Sequence, residues 1–128
     1  MQNYHSVVWL DHLQAKIFFF DRDEMEKVSL TTSLPHQQTH NKAGTIVGAR
    51  ATADKEFLEA IVRALEPARE WLIIGPSTAK LELVKHVHAR HPQLVDRILG
   101  VESSDHPTDG QILAHARSYF RAADRMLP

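Results

Sequence analysis

The pattern of apolar and polar residues predicts strands in the first part of the chain. Two runs rich in β-branched and aromatic residues, 6–10 and 15–20, flank a polar connection, which is typical of an antiparallel hairpin. Residues 27–34 then alternate between apolar and polar side chains, so one face of this third strand would meet water. We therefore expect the third strand to lie near an edge of the sheet.

Helices and strands alternate in the second part of the chain. Apolar residues at three-and-four spacing predict a helix over 52–65, with Thr52 as its cap. The four apolar residues 71–74 predict a strand that is buried on both faces, because a half-exposed strand would alternate. This strand is expected inside the sheet, with Trp71 at the margin of the core.

Breakers and caps place the remaining elements. A second helix is predicted to begin at the turn formed by Gly75 and Pro76 and to end just before Pro92. Residues 97–102 predict a fifth strand. Thr108 stands three residues before Gln111, the spacing of a capping box in which each side chain bonds the other residue's backbone amide. A third helix is therefore predicted to start there.

Together these elements predict one domain, residues 1–128, of the α/β class. A chain of 128 residues with 43% hydrophobic content can bury one proper core and is too short for two. The opening hairpin is antiparallel, whereas strands separated by helices are joined by right-handed crossovers and lie parallel. The expected architecture is a three-layer α-β-α sandwich around a mixed sheet of about five strands.

Composition excludes several classes of protein. No cysteine is present, which rules out a disulfide scaffold and a thiolate metal site. No apolar run is long enough to cross a bilayer and the amino terminus lacks the layout of a secretion signal, so we expect a cytoplasmic protein without membrane contact. The net charge of -1 argues against a globally basic nucleic-acid binder, and we expect no DNA partner. We also expect no cofactor.

Three segments carry a resemblance to a known family. Residues 7–20 combine a hydrophobic strand, an aspartate, a polar turn and a second strand opened by alanine and a basic residue. The segments Leu-Ile-Ile-Gly-Pro-Ser-Thr-Ala-Lys at 72–80 and Ile-Leu-Gly-Val-Glu at 98–102 follow. In this order they resemble the carboxy-terminal, third domain of archaeal and eukaryotic peptide-chain release factors and of Pelota, especially the short bacterial release-factor-like proteins often labelled translational machinery proteins. One departure is Ser77, which stands where the family's Gly-Pro-Gly-x-x-Lys turn often has its second glycine.

The resemblance implies a docking role. In full-length release factors the third domain binds a translational GTPase or the ribosome, while another domain carries the Gly-Gly-Gln loop that releases the peptide. No two of the five glycines are adjacent in this chain, so that loop cannot form. The resemblance thus implies a non-catalytic, translation-associated interaction module whose partner is the ribosome, RNA or a translational GTPase.

A different class of function depends on residues 75–80, called the 75–80 turn below. The amides and dipole at a helix start favour an anion, and the residues placed to bind an anion or a partner are Gly75, Ser77, Thr78 and Lys80. The alternative function is therefore a small hydrolase or transferase that uses this turn as an anion site. Capping and tight packing explain the same residues without a ligand, and the turn lacks the further glycines of a phosphate loop.

Basic residues and histidines outside that turn are candidates for partner contact. The polar segment 35–51 is longer than most connections, and loops of this kind commonly carry function. Together with the basic face of the second helix, it supplies the expected contacts to a partner or to RNA phosphates: His36, His40, Lys42, Arg50, Lys85 and Arg90. His88 and His91 have the spacing of a metal pair, but no carboxylate lies nearby in the sequence to complete a site, so we expect no metal.

Self-association is a further possibility. A strand at the edge of a sheet exposes backbone amide and carbonyl groups that pair readily with another strand. The expected edge position of residues 27–34 therefore allows a homodimer through the sheet edge.

Overall fold

The computed structural model describes residues 5–32 and 54–125. Within these ranges the elements follow one another in the predicted order of strands and helices. They are β1 His5–Leu10, β2 Gln14–Phe20, β3 Met25–Thr31, α1 Lys55–Leu65, β4 Glu70–Gly75, α2 Ala79–Arg90, a 3-10 helix Pro92–Arg97, β5 Ile98–Ser103 and α3 Asp109–Arg125.

The described strands form one mixed sheet in the order β3-β2-β1-β4-β5. β1 pairs antiparallel with β2, as β2 does with β3, whereas β4 lies parallel to both β1 and β5. This arrangement confirms the predicted hairpin and mixed sheet. β4 lies in the interior and β3 at an edge, as predicted, because a continuous apolar run needs cover on both faces and an alternating strand does not. Pairing of β3 with a second copy stays a prediction.

Hydrophobic cores on both faces of the sheet complete the three layers. The core under α1 and α2 includes Ile17, Trp71 and Leu83, and the core under α3 includes Phe18 and Phe120. The prediction of Trp71 at the core margin is wrong: its side chain is fully buried. Burial is possible because the indole N–H donates to the carbonyl of Ala68 at 3.0 Å, which satisfies the one polar group of the ring. None of the described helices is both long and apolar enough to span a bilayer.

Local hydrogen bonds set the ends of the elements. α1 is capped by Asp54, whose carboxylate accepts from the Glu56 amide at 3.2 Å, and not by Thr52 as predicted. Thr52 itself lies outside the described residues. The capping box at α3 is confirmed, since the Thr108 amide donates to Gln111 Oε1 at 2.9 Å and the Gln111 amide donates to Thr108 Oγ1 at 3.1 Å.

The bounds of β3 also differ from the prediction. The strand begins at Met25 instead of residue 27. Asp21 accounts for the earlier start, because its carboxylate accepts from the amides of Asp23 and Glu24 and closes a turn just before the strand. The strand ends at Thr31, and Thr32 is no longer part of it, whereas residue 34, the predicted end, lies outside the described residues.

Candidate functional site

Gly75 opens the 75–80 turn at the end of β4. A Cβ atom at this position would overlap the backbone carbonyl oxygen of Leu10 in the neighbouring strand β1. The φ angle of Gly75 lies outside the left-handed region. Glycine is therefore required by the close approach of two strands, and not by a special backbone angle.

Ser77, and not Thr78, caps α2 with its side chain. The Ser77 hydroxyl accepts a hydrogen bond from the Ala79 amide at 3.3 Å. Thr78 makes no side-chain cap bond, and its hydroxyl donates to Glu82 Oε2 at 3.4 Å. The contacts of Ser77 support the interpretation of the turn as a helix cap.

The Lys80 side chain forms a hydrogen bond within the 75–80 turn. Its ammonium donates to the backbone carbonyl of Ser77 at 2.6 Å, and the residue is 9% exposed. A buried ammonium needs such a partner, because desolvation of the charge is costly. Lys80 thus fastens the turn to the first residues of α2, and any anion bound there would have to compete with the Ser77 carbonyl. Binding of an anion at the turn stays a prediction.

The fold brings a histidine and a carboxylate to Ser77. The Ser77 hydroxyl oxygen lies 3.5 Å from His12 Nδ1, and His12 Nε2 lies 3.2 Å from Glu82 Oε2. Hydroxyl, imidazole and carboxylate therefore stand in the order used by nucleophilic hydrolases, but with the two ring nitrogens exchanged, since in the serine triad the hydroxyl faces Nε2 and the carboxylate faces Nδ1. Sequence reasoning missed this line because its members come from the β1–β2 connection, the 75–80 turn and α2, with no local motif to join them.

The predicted partner contacts are only partly described. Lys85 and Arg90 are exposed on α2, as expected of contacts to a partner. Arg90 lies ten residues beyond Lys80, roughly 15 Å along the helix axis, so it is not part of the 75–80 turn. The remaining predicted contacts, His36, His40, Lys42 and Arg50, lie outside the described residues.

A cluster of two histidines and a glutamate joins α1 to α2. Nε2 of His86 and Nε2 of His91 each lie 2.8 Å from the same oxygen, Oε1 of Glu59. The hydrogen bond from His91, followed by that from His86, lowers the pKa of Glu59 from 4.5 to about 2. The second oxygen of Glu59 lies 3.3 Å from Nε of Arg63, one helical turn further on.

The end of α2 explains why this cluster differs from the pair His88 and His91 suggested by spacing. The helix stops at Arg90, and His91 adopts φ -140° and ψ 57°. Five helical residues separate two side chains by roughly 140° around the axis, so a continuous helix would hold His86 and His91 apart. The break before Pro92 turns His91 back toward His86, while His88 is exposed. A sequence signal existed, because residues before proline avoid the helical conformation.

An arginine-lined cavity of about 400 Å³ lies where β1 and β2 meet α3. The Arg117 guanidinium is anchored there by donating to the carbonyls of Asp21 at 3.2 Å and Glu24 at 3.3 Å. Its Nε is buried and has no hydrogen-bond partner among the described residues. The lining residues are His5, Phe20, Asp21, Arg22, Arg117, Phe120 and Arg121. Sequence reasoning missed this cavity because the turn carrying Arg22 and the helix carrying Arg117 are distant in the chain.

The fold is shared with parts of two Pelota proteins and of an archaeal translation termination factor. The chain is similar to Pelota from Archaeoglobus fulgidus, with a TM-score of 0.62 and 13% identity over 89% of this chain and 30% of that protein. It is similar to Thermoplasma acidophilum Pelota, with a TM-score of 0.60 and 15% identity over 90% of this chain and 33% of that protein. It is also similar to an archaeal translation termination factor, aRF1, with a TM-score of 0.53 and 15% identity over 98% of this chain and 39% of that protein.

These similarities cover only part of each of the three proteins, at low sequence identity. The chain spans about a third of the length of each of the three proteins. No protein-family model and no curated protein matches the sequence. At identities of 13–15%, the structural likeness establishes the shared fold.

Proposed function

We propose that this protein is a non-catalytic, translation-associated interaction module that docks onto the ribosome by contacting RNA. The observation that carries the proposal is the likeness of its fold, over 89% of the chain, to part of a Pelota protein. Such a module acts in the cytoplasm, where ribosomes are found. Docking onto a translational GTPase is the other form that this role can take.

The arginine-lined cavity supports contact with RNA phosphates. Arg22 and Arg121, both exposed, line the cavity together with Arg117. The one carboxylate in the lining, Asp21, is engaged by the backbone amides of Asp23 and Glu24. Guanidinium groups bind phosphate oxygens through paired hydrogen bonds, and several converging arginines favour a phosphate over a neutral ligand. The His5 ring stacks on Phe120 with centroids 4.5 Å apart, and Phe20 and Phe120 are buried, so these rings line the cavity as packed side chains and the arginines supply its polar contacts.

Co-sedimentation with purified ribosomes tests the proposal. Three charge-reversal variants change the net charge equally: Arg22→Glu with Arg121→Glu in the cavity, Lys85→Glu with Arg90→Glu on α2, and Lys42→Glu with Arg50→Glu in the 35–51 segment. If the protein docks through a single surface, one of the three variants should no longer co-sediment with ribosomes, while the other two should still be found in the ribosomal pellet. Each lost phosphate contact lowers the slope of log affinity against log salt by about 1.

Two outcomes contradict the proposal. One is absence of the unaltered protein from the ribosomal pellet at low salt. The other is an equal loss in all three variants, which indicates non-specific attraction between net charges. If ribosomes do not bind but a translational GTPase is captured, the GTPase form of the role replaces the RNA form.

A second candidate function is the small hydrolase or transferase built on the 75–80 turn. The line of Ser77, His12 and Glu82 favours it, since a hydroxyl stands within 3.5 Å of an imidazole. Steady-state cleavage of a chromogenic acetyl or phosphate ester, lost in Ser77→Ala and unchanged in Ser118→Ala, which removes an exposed serine of α3, would establish it. No turnover above the Ser77→Ala background would remove it.

A further inference from the structure

We propose that Glu59, His86 and His91 form a binding site for one divalent transition-metal ion of the zinc class, at the junction of α1 and α2. Each residue offers one ligand atom, and the three atoms lie within 4.8 Å of one another. Two imidazole nitrogens and one carboxylate oxygen are the donor set of many zinc sites that keep a further position for water. This site is independent of the proposed role in translation.

The spacing of the donor atoms suits a tetrahedral ion. Ligands at about 2.0–2.1 Å from zinc in a tetrahedron are separated by about 3.3 Å. Glu59 Oε1 is 2.8 Å from each of the two Nε2 atoms, so these pairs need to open by only about half an ångström to admit the ion. The two Nε2 atoms lie within 4.8 Å of each other, so this third pair has to close by up to about 1.5 Å around the ion.

The backbone around the three ligands is firmly held. Glu59 lies on α1, which is anchored by the buried face that includes Phe57, Leu58 and Ile61. The side chain of His86 is only 7% exposed. The backbone of His91 bonds on both sides, with its amide donating to Val87 at 2.8 Å and its carbonyl accepting from Leu94 at 2.8 Å. Ligands on a rigid scaffold lose little conformational entropy when a metal binds.

The position of the cluster leaves room for solvent on the metal. Glu59 is 28% exposed and His91 is 18% exposed, so the outer side of the site faces water. Arg63 holds the second carboxylate oxygen of Glu59, which leaves Oε1 directed at the histidines. Such an outer partner orients a ligating carboxylate. Nitrogen donors favour zinc, cobalt, nickel or copper over magnesium and calcium, which prefer oxygen.

The test is metal titration of the full chain after removal of metals with a chelator. We expect one equivalent of Zn²⁺ to bind, measured by competition with a chromogenic chelator, and one equivalent of Co²⁺ to give the visible absorption of a tetrahedral complex. Affinity for Zn²⁺ is expected to fall by about tenfold or more in Glu59→Gln and in His91→Ala. His88→Ala is the matched control, because His88 is an exposed histidine on the same helix.

Folding of the variants is checked by circular dichroism, and Glu59→Gln keeps the size of the side chain if His91→Ala does not fold. The inference is overturned if the unaltered protein binds Zn²⁺ no more tightly than Glu59→Gln. It is also overturned if His88→Ala weakens binding as much as the cluster variants, or if Mg²⁺ competes equally with Zn²⁺.

Discussion

Replacing Gly75 with alanine should destabilise the protein because the added methyl group has no space. The nearest atom to the new Cβ is the carbonyl oxygen of Leu10, which belongs to the backbone of β1. β1 lies between β2 and β4 in the sheet, so this carbonyl cannot move without disturbing strand pairing. Overpacking of an interior costs typically 1–3 kcal/mol, and a fixed backbone obstacle places Gly75→Ala near the upper end, at about 3 kcal/mol.

Two other glycines provide matched controls. A Cβ at Gly100 would meet the hydroxyl of Tyr119, which donates to the Leu99 carbonyl at 3.0 Å. Displacing this side chain weakens that hydrogen bond but moves no backbone atom of a neighbouring strand, so Gly100→Ala should cost about 1 kcal/mol. A Cβ at Gly110 lies 4.0 Å from its nearest neighbour, the hydroxyl of Thr108. Gly110→Ala should stabilise the protein by up to about 1 kcal/mol, because alanine is the better helix former.

Urea unfolding followed by circular dichroism measures all three variants. A loss of about 3 kcal/mol in a domain of this size corresponds to a fall of roughly 12 °C in Tm, which thermal unfolding checks independently. From the most to the least stable, the expected order is Gly110→Ala, the unaltered protein, Gly100→Ala and Gly75→Ala. If the free energy of unfolding of Gly75→Ala lies within about 0.5 kcal/mol of that of the unaltered protein, the close approach of β1 and β4 is not what requires glycine.

Three further predictions concern α3 and the core beneath it. Thr108→Ala removes half of the capping box and should lower the free energy of unfolding by about 1 kcal/mol, measured in urea; no change would show that the cap is not formed in solution. The hydrogen bond from Lys27 lowers the pKa of Asp109 below 3.8, with a further bond from Lys16. Its stabilisation is therefore present above pH 3.8 and lost as the pH falls below it, so Asp109→Asn should be less stable than the unaltered protein at pH 7 and equally stable in acid; a difference that persists in acid contradicts this assignment. Phe18 is fully buried, and Phe18→Ala should cost about 3–5 kcal/mol in the same urea assay, whereas a loss below 1 kcal/mol would place the ring outside the core.

Local sequence patterns were sufficient to predict the strands, the α-helices and their order, but not the 3-10 helix Pro92–Arg97. The alternation in β3 and the continuous apolar run in β4 decide which strand can face water, and the structure places them accordingly at an edge and in the interior. The capping box at Thr108 depends on residues three positions apart, so it too is visible in the sequence. Where two local caps competed, as at Thr52 and Asp54, sequence reasoning chose the wrong one, because cap preferences of such residues are nearly equal.

The clusters of polar residues, in contrast, depend on the tertiary structure. Glu59 meets His86 and His91 only because α1 and α2 pack side by side on one face of the sheet, and because α2 breaks at His91. Ser77 meets His12, and Arg117 meets the turn at Asp21, through pairings that span 65 and 96 residues of the chain. Hydrophobic periodicity reports which face of an element is buried, but it carries no information about which polar residue on a neighbouring element will stand opposite. The sequence alone therefore determined the layers and their order, while the packing of helices on the sheet decided which charged and metal-ligating groups come together.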